Sequence, residues 1–102
     1  MAYNNDTPVK FPRRLQFESG VNIEQISGNR TLTYKDSQIQ RLDAQAGGLD
    51  VLLPAAENGA MFIINCQGTA ITVKQGSTTL KALSVGEGGL FACDGTNWKQ
   101  FI

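Results

Sequence analysis

Histidine is absent from this sequence. No side chain therefore titrates near neutral pH without help from its surroundings, and Ser–His and Cys–His nucleophile pairs and histidine metal sites are excluded. Cysteine is nearly absent: Cys66 and Cys93 are the two present. They are too few for a disulfide scaffold and too far apart for a CxxC ligand pair. Both lie in strand-like apolar segments, so free buried thiols are expected, with a Cys66–Cys93 bridge across neighbouring strands as the alternative. Charge of either sign is also scarce. Nine Lys plus Arg balance nine Asp plus Glu, which leaves no net field to steer nucleic acid or an anionic membrane. No apolar run approaches the ~20 residues of a membrane helix. The first residues, Met1 to Asp6, carry neither the basic nor the apolar region of a secretory signal, so the chain is expected to be made and kept in the cytosol.

What is present fits one small domain. At 102 residues with 41% hydrophobic content, the chain has the length and composition of a single globular core. Proline is spent unevenly: Pro8 and Pro12 lie near the start and Pro54 alone lies beyond. Proline fixes φ and removes a backbone donor, so residues 1–20 read as an extended N-terminal arm preceding a domain over residues 21–102. The arm offers isolated apolar anchors without a strand period (Phe11, Leu15 and Phe17) and basic residues Arg13 and Arg14. These five form the candidate partner-docking site.

From Arg30 onward, short alternating runs are broken by turn signals every ten or so residues, with no sustained helical period. The expected fold is all-β, a small antiparallel sandwich, jelly roll or barrel of about eight short strands. A hairpin is expected from Arg30–Tyr34 through Lys35-Asp36-Ser37 into Gln38–Leu42. Ala60 to Cys66 is apolar on both faces and is expected to be a central, doubly covered strand. Turns fall at Gly47-Gly48, Asn58-Gly59 and Gln75-Gly76-Ser77, and a terminal hairpin is expected around Asp94-Gly95. Phe62, Ile64, Ile71, Val73, Leu90 and Phe91 are the predicted core.

Candidate chemistry is thin. Asp43 with Asp50, or Glu87 with Asp94, can be paired as glycosidase carboxylates, yet each pair straddles a glycine-containing turn where solvated carboxylates are ordinary. Gly86-Glu87-Gly88-Gly89 lacks the Gly-Lys-Ser/Thr ending of a phosphate loop. Trp98 can stack on a sugar or cap a core. Neither thiol has a base beside it in sequence. A non-enzymatic protein is expected, with no catalytic residues, no cofactor and no metal.

Leu53-Pro54, the Asn58-Gly59 turn, the apolar run after it and Asp94-Gly95-Thr96-Asn97-Trp98 together resemble a pattern of tailed-bacteriophage virion proteins over residues 49–98. That group includes head-decoration (cement) proteins and modules of tail fibres and collars. One short domain with an arm, and no long repeat, is most similar to the decoration proteins. The resemblance implies a homotrimer in the virion, bound to the major capsid protein or another virion subunit, with no membrane and no nucleic acid as partner. The competing expectations are a tail, collar or fibre-attachment subunit, and a carbohydrate-binding β module for host recognition.

Overall fold

The computed structural model describes residues 20–102. Nine strands and no helix lie in that range: β1 (Val21–Ile26), β2 (Arg30–Thr31), β3 (Ile39–Ala44), β4 (Leu49–Leu52), β5 (Met61–Gly68), β6 (Ile71–Gln75), β7 (Thr78–Leu83), β8 (Gly88–Cys93) and β9 (Trp98–Gln100). The chain lays β1 to β6 alternately into two layers, then adds β7 to the layer of β6 and β8 and β9 to the layer of β5. One sheet has the order β1-β3-β5-β8-β9 and the other β2-β4-β6-β7.

The first six strands wind in parallel. β1 pairs with β3 and β3 with β5, while β2 pairs with β4 and β4 with β6, all parallel. Antiparallel pairing begins only with β7 beside β6, β8 beside β5 and β9 beside β8. The expectation of antiparallel sheets is thus corrected: both sheets are mixed, and neither closes into a barrel.

The expected hairpin between Arg30 and Leu42 is the clearest correction, because β2 and β3 lie in different sheets. A flat hairpin turning at residues 35–37 would set Arg30 opposite Leu42 and Leu32 opposite Gln40, mixing charge with core on one face. Instead the Asp36 carboxylate accepts the Thr33 N–H at 2.8 Å and caps a turn that carries the chain across. Leu32 and Leu42 are then both fully buried, each contributed from its own layer.

The inner faces fill by alternation. β3 buries Gln40, Leu42 and Ala44; β5 buries Phe62, Ile64 and Cys66; β4 and β6 answer with Leu49, Val51, Ile71 and Val73. β5 is central in its sheet, as expected, but only one of its faces is sealed; Met61, Ile63 and Asn65 on the other are half-buried. Of the six predicted core residues, five are buried, whereas Leu90 sits opposite Ile63 on the outer face and is half-buried. The β6–β7 turn and the β8–β9 hairpin form where expected. Gly68 enables the tightest crossing: its φ is +77°, and a Cβ there would strike the Asp43 carboxylate and the Ala44 carbonyl.

The buried side chains set the stability. Ile64→Ala and Phe91→Ala are each expected to cost about 2–5 kcal/mol by urea denaturation. A loss below about 0.5 kcal/mol at both positions would show that the interior is not packed in this way.

Candidate functional site

The candidate carboxylates are placed apart. Asp43 and Asp50 project from the outer faces of opposite sheets, since Leu42 and Ala44, and Leu49 and Val51, are the inward residues of their strands. Asp50 is paired with the Lys74 ammonium at 3.1 Å. Glu87 and Asp94 flank the two ends of β8, a six-residue strand, roughly 20 Å apart at ~3.4 Å per residue. Glycosidase carboxylates stand no more than about 9.5 Å apart. Neither pair can flank one bond.

Each turn carboxylate is occupied with backbone instead. The Asp94 carboxylate accepts the Thr96 and Asn97 N–H groups, each at 2.9 Å, and these bonds hold its pKa below the ordinary aspartate value. Glu87 accepts the Ser84 N–H at 2.6 Å, which lowers its pKa as well. Gly86-Glu87-Gly88-Gly89 is a turn leading into β8, with no helix after it to receive a phosphate.

The thiols are free and buried. Cys66 donates to the Thr69 carbonyl at 3.2 Å, and burial raises its pKa, which disfavours the thiolate. Trp98 is 1% exposed, its ring lies 5.8 Å from that of Phe62, and its Nε1–H donates to the Pro54 carbonyl at 2.8 Å. It closes the core and has no free face for a sugar. Among the described residues no three His, Cys, Asp or Glu side chains gather as a metal site.

At the β1 edge lies the densest polar cluster. Arg30 bonds Glu24 at 3.2 Å and Asp36 at 3.0 Å, and Asn22 donates to both Glu24 and the fully buried Gln40. Gln40 in turn donates to the Ser37 carbonyl at 2.7 Å. Every group has a partner, so the cluster fastens β1 and β2 to the turn and has no acid or base to spare. Burial alone would raise the Asp36 pKa, but the hydrogen bonds and charge of Arg30 and the Thr33 bonds outweigh it, and the net direction is down.

What the fold leaves available is the outer face of the five-stranded sheet. Register aligns Val21, Ile39, Ile63 and Leu90 across four strands, with Phe101 and Ile102 hydrogen-bonded to Leu90 at the far end. This apolar row crosses about 20 Å at ~4.8 Å per strand. Ile63, Leu90 and Ile102 also line a shallow groove of about 310 Å³ floored by Gly88 and Gly89. Val21, Phe101 and Ile102 are 57%, 66% and 75% exposed. Because every described strand belongs to one of the two sheets, no described element forms a third layer over the row.

Sequence reasoning missed this row. Its signal is the run of apolar residues on both faces of β5, which pointed to double coverage when only the inner side is covered. The candidate docking residues Phe11, Arg13, Arg14, Leu15 and Phe17 lie outside the described residues. No protein-family model, curated protein or solved structure matches the chain.

Two outcomes check these assignments. Asp36 and Asp94 titrate lower when folded than unfolded, so each contributes stability that is full above the unfolded pKa of about 4 and is lost as the pH falls through the folded value. Asp36→Asn should therefore flatten the acid limb of a stability–pH curve below about pH 4; an unaltered limb would rule out the Arg30 pairing as its source. Both thiols should resist an aromatic disulfide reagent in the native chain and react fully in denaturant, and prompt native labelling would contradict their burial.

Proposed function

We propose that this chain is a non-enzymatic virion structural protein, a decoration (cement) protein that binds the outer capsid surface of a tailed bacteriophage and bridges neighbouring subunits of the major capsid protein. The observation that carries the reading is the apolar row of exposed Val21 and half-buried Ile39, Ile63 and Leu90 across the outer face of the larger sheet. Turn-bound carboxylates and buried thiols and tryptophan support the same reading, since they leave surface presentation as what this domain offers.

A lattice repeats one modest site many times, so a protein that touches two subunits at once gains avidity without any single strong contact. Anything that binds the assembled shell and not its dissociated subunits stabilises the shell by mass action. The homotrimer implied by the resemblance multiplies that effect, and the arm adds a second contact reaching beyond the β domain.

The test is co-sedimentation of the purified chain with shells assembled from the major capsid protein of its phage. Saturable binding in fixed proportion to capsid subunits is expected. Ile63→Thr with Leu90→Thr keeps β-branched or small side chains on the strands but removes apolar area from the row, and should weaken occupancy about tenfold or more while the thermal midpoint shifts little. Binding only to tails would move the protein to a tail, collar or fibre-attachment role; saturable glycan binding without shell binding would make it a carbohydrate module.

A further inference from the structure

Among the described residues four strands form sheet edges: β1 and β9 in the larger sheet, β2 and β7 in the smaller. Exposed edges template pairing with other chains, and proteins blunt them with short strands, charge or irregularity. β2 has two residues and β9 three, with Lys99 and Gln100 exposed. β7 carries Lys81 and pairs with β6 across an irregular register at Val73/Lys74. β1 keeps none of these protections. It is six residues long and regular in register, and it exposes Ile23 at 72% and Val21 at 57%. Its one charged side chain, Glu24, shares the inner face with Ile26 and is bonded to Arg30.

The backbone of β1 fixes how a further strand joins it. The Ile26 carbonyl accepts the Gln45 N–H at 2.8 Å on the β3 side. In a parallel ladder alternate residues direct both polar groups to the same neighbour, so Asn22, Glu24 and Ile26 serve β3 while Val21, Ile23 and Gln25 turn their N–H and C=O groups away from it. These outward residues are centred on Ile23, which makes the segment complementary to itself. Run antiparallel about a twofold axis through Ile23, it sets Ile23 opposite the partner's Ile23, Val21 opposite the partner's Gln25, and Gln25 opposite the partner's Val21. Each such pair exchanges both backbone bonds. On the inner face Asn22 meets the partner's Glu24, a neutral amide against a carboxylate already bonded to an arginine of its own chain. Sliding the register by two residues either way gives up one outward pair, and one of those slides sets Glu24 against the partner's Glu24, like charges directly opposed.

We propose that β1 is the contact between two copies of this chain, paired antiparallel edge to edge about a twofold axis at Ile23. The larger sheets of the two copies then become one continuous sheet. Val21 and Ile23 of each copy, the exposed apolar side chains of the edge, pack against their counterparts across the axis. Because the contact is isologous, it closes at two copies and leaves no β1 edge open for a third. It therefore takes a twofold pair in place of the homotrimer that the resemblance implies. The axis stands perpendicular to the sheet, so both outer faces look the same way and the two apolar rows lie on one surface. That surface suits the bridging of two neighbouring lattice subunits, a consequence that rests on the decoration reading; the pairing itself rests on β1 alone.

Sedimentation and amide exchange on the full chain test this. At concentrations of about 100 µM and above the chain should sediment at twice its mass of 11.0 kDa, falling toward one copy on dilution. Ile23→Lys opposes two cations at the axis, and Ile23→Pro removes an N–H that is directed away from β3; each should weaken association about tenfold or more. In either variant the Ile23 and Gln25 amides should exchange about tenfold or more faster than in the paired wild type. The Glu24 and Ile26 amides, bonded to β3, should stay protected throughout and report that the domain is folded. In an equal mixture of labelled and unlabelled chains, an Hα–Hα contact between Asn22 and the partner's Glu24 should pass between copies. A single-copy mass at every concentration would overturn the proposal, and so would a three-copy mass. So would protection of Ile23 and Gln25 that dilution and both variants leave intact, which would place the edge's partner within the same chain. Shell binding is not part of this readout, so the decoration reading stands or falls separately.

Discussion

One apolar interior supplied from two layers is the constraint on which the rest of this protein depends. The described strands form two layers, and a side chain fully buried between the sheets contributes roughly 1.5–3 kcal/mol. Each winding therefore has to deliver inward residues to both layers in turn. Leu32 and Val51 arrive from one, and Leu42, Ile64 and Phe91 from the other. The last winding closes the interior with Trp98, whose indole N–H reaches the Pro54 carbonyl and whose backbone N–H donates to Gln75 at 2.9 Å. Those two bonds tie β9, at the edge of the larger sheet, to segments that flank strands of the smaller one. The layers are held at one spacing by the bulk of the ring and in one alignment by its polar contacts.

That arrangement consumes the groups from which chemistry might be built. Crossing between layers needs tight turns, and tight turns leave backbone N–H groups without strand partners. Asp36 and Glu87 supply acceptors where the chain crosses, and Asp94 does the same in the β8–β9 hairpin within one sheet. Among the described residues the one wholly buried polar side chain, Gln40, is enclosed by Asn22 and the Ser37 carbonyl, and no buried side-chain nitrogen or oxygen lacks a partner. A carboxylate serving as a cap is held ionised by the bonds it accepts and is a poor proton donor at neutral pH. The turns that make the fold possible thus engage these three carboxylates with backbone.

Much of the fold was legible because strand and turn chemistry are local. The Asn58-Gly59 turn, the Gln75-Gly76-Ser77 turn and the Asp94-Gly95 hairpin are carried by their own residues, and period-two alternation placed Phe62, Ile64, Ile71 and Val73 inside. Topology was not local. Nothing between Arg30 and Leu42 states which sheet receives each strand; that depends on Val51 and Ile63, residues far along the chain that become the register partners of Arg30 and Ile39. Leu90 was misplaced for a related reason, since Gly88-Gly89-Leu90-Phe91 contains two apolar residues in succession and only pairing with β5 decides which turns inward. Of the candidate site, the turn positions of Glu87 and Asp94 could be read from local composition, whereas the apolar row exists only once four strands are set side by side.

The row and the β1 edge bear on one another. Parallel winding begins at β1, which has no earlier strand beside it among the described residues and stands at one edge of the larger sheet. Among the described residues the apolar row runs from Val21 at that edge through Ile39, Ile63 and Leu90 to the Phe101–Ile102 end. A row bounded by a finished edge can meet a partner face to face, through side chains. An open edge would offer it backbone hydrogen bonds and invite indiscriminate strand pairing. That difference decides between ordered binding and aggregation.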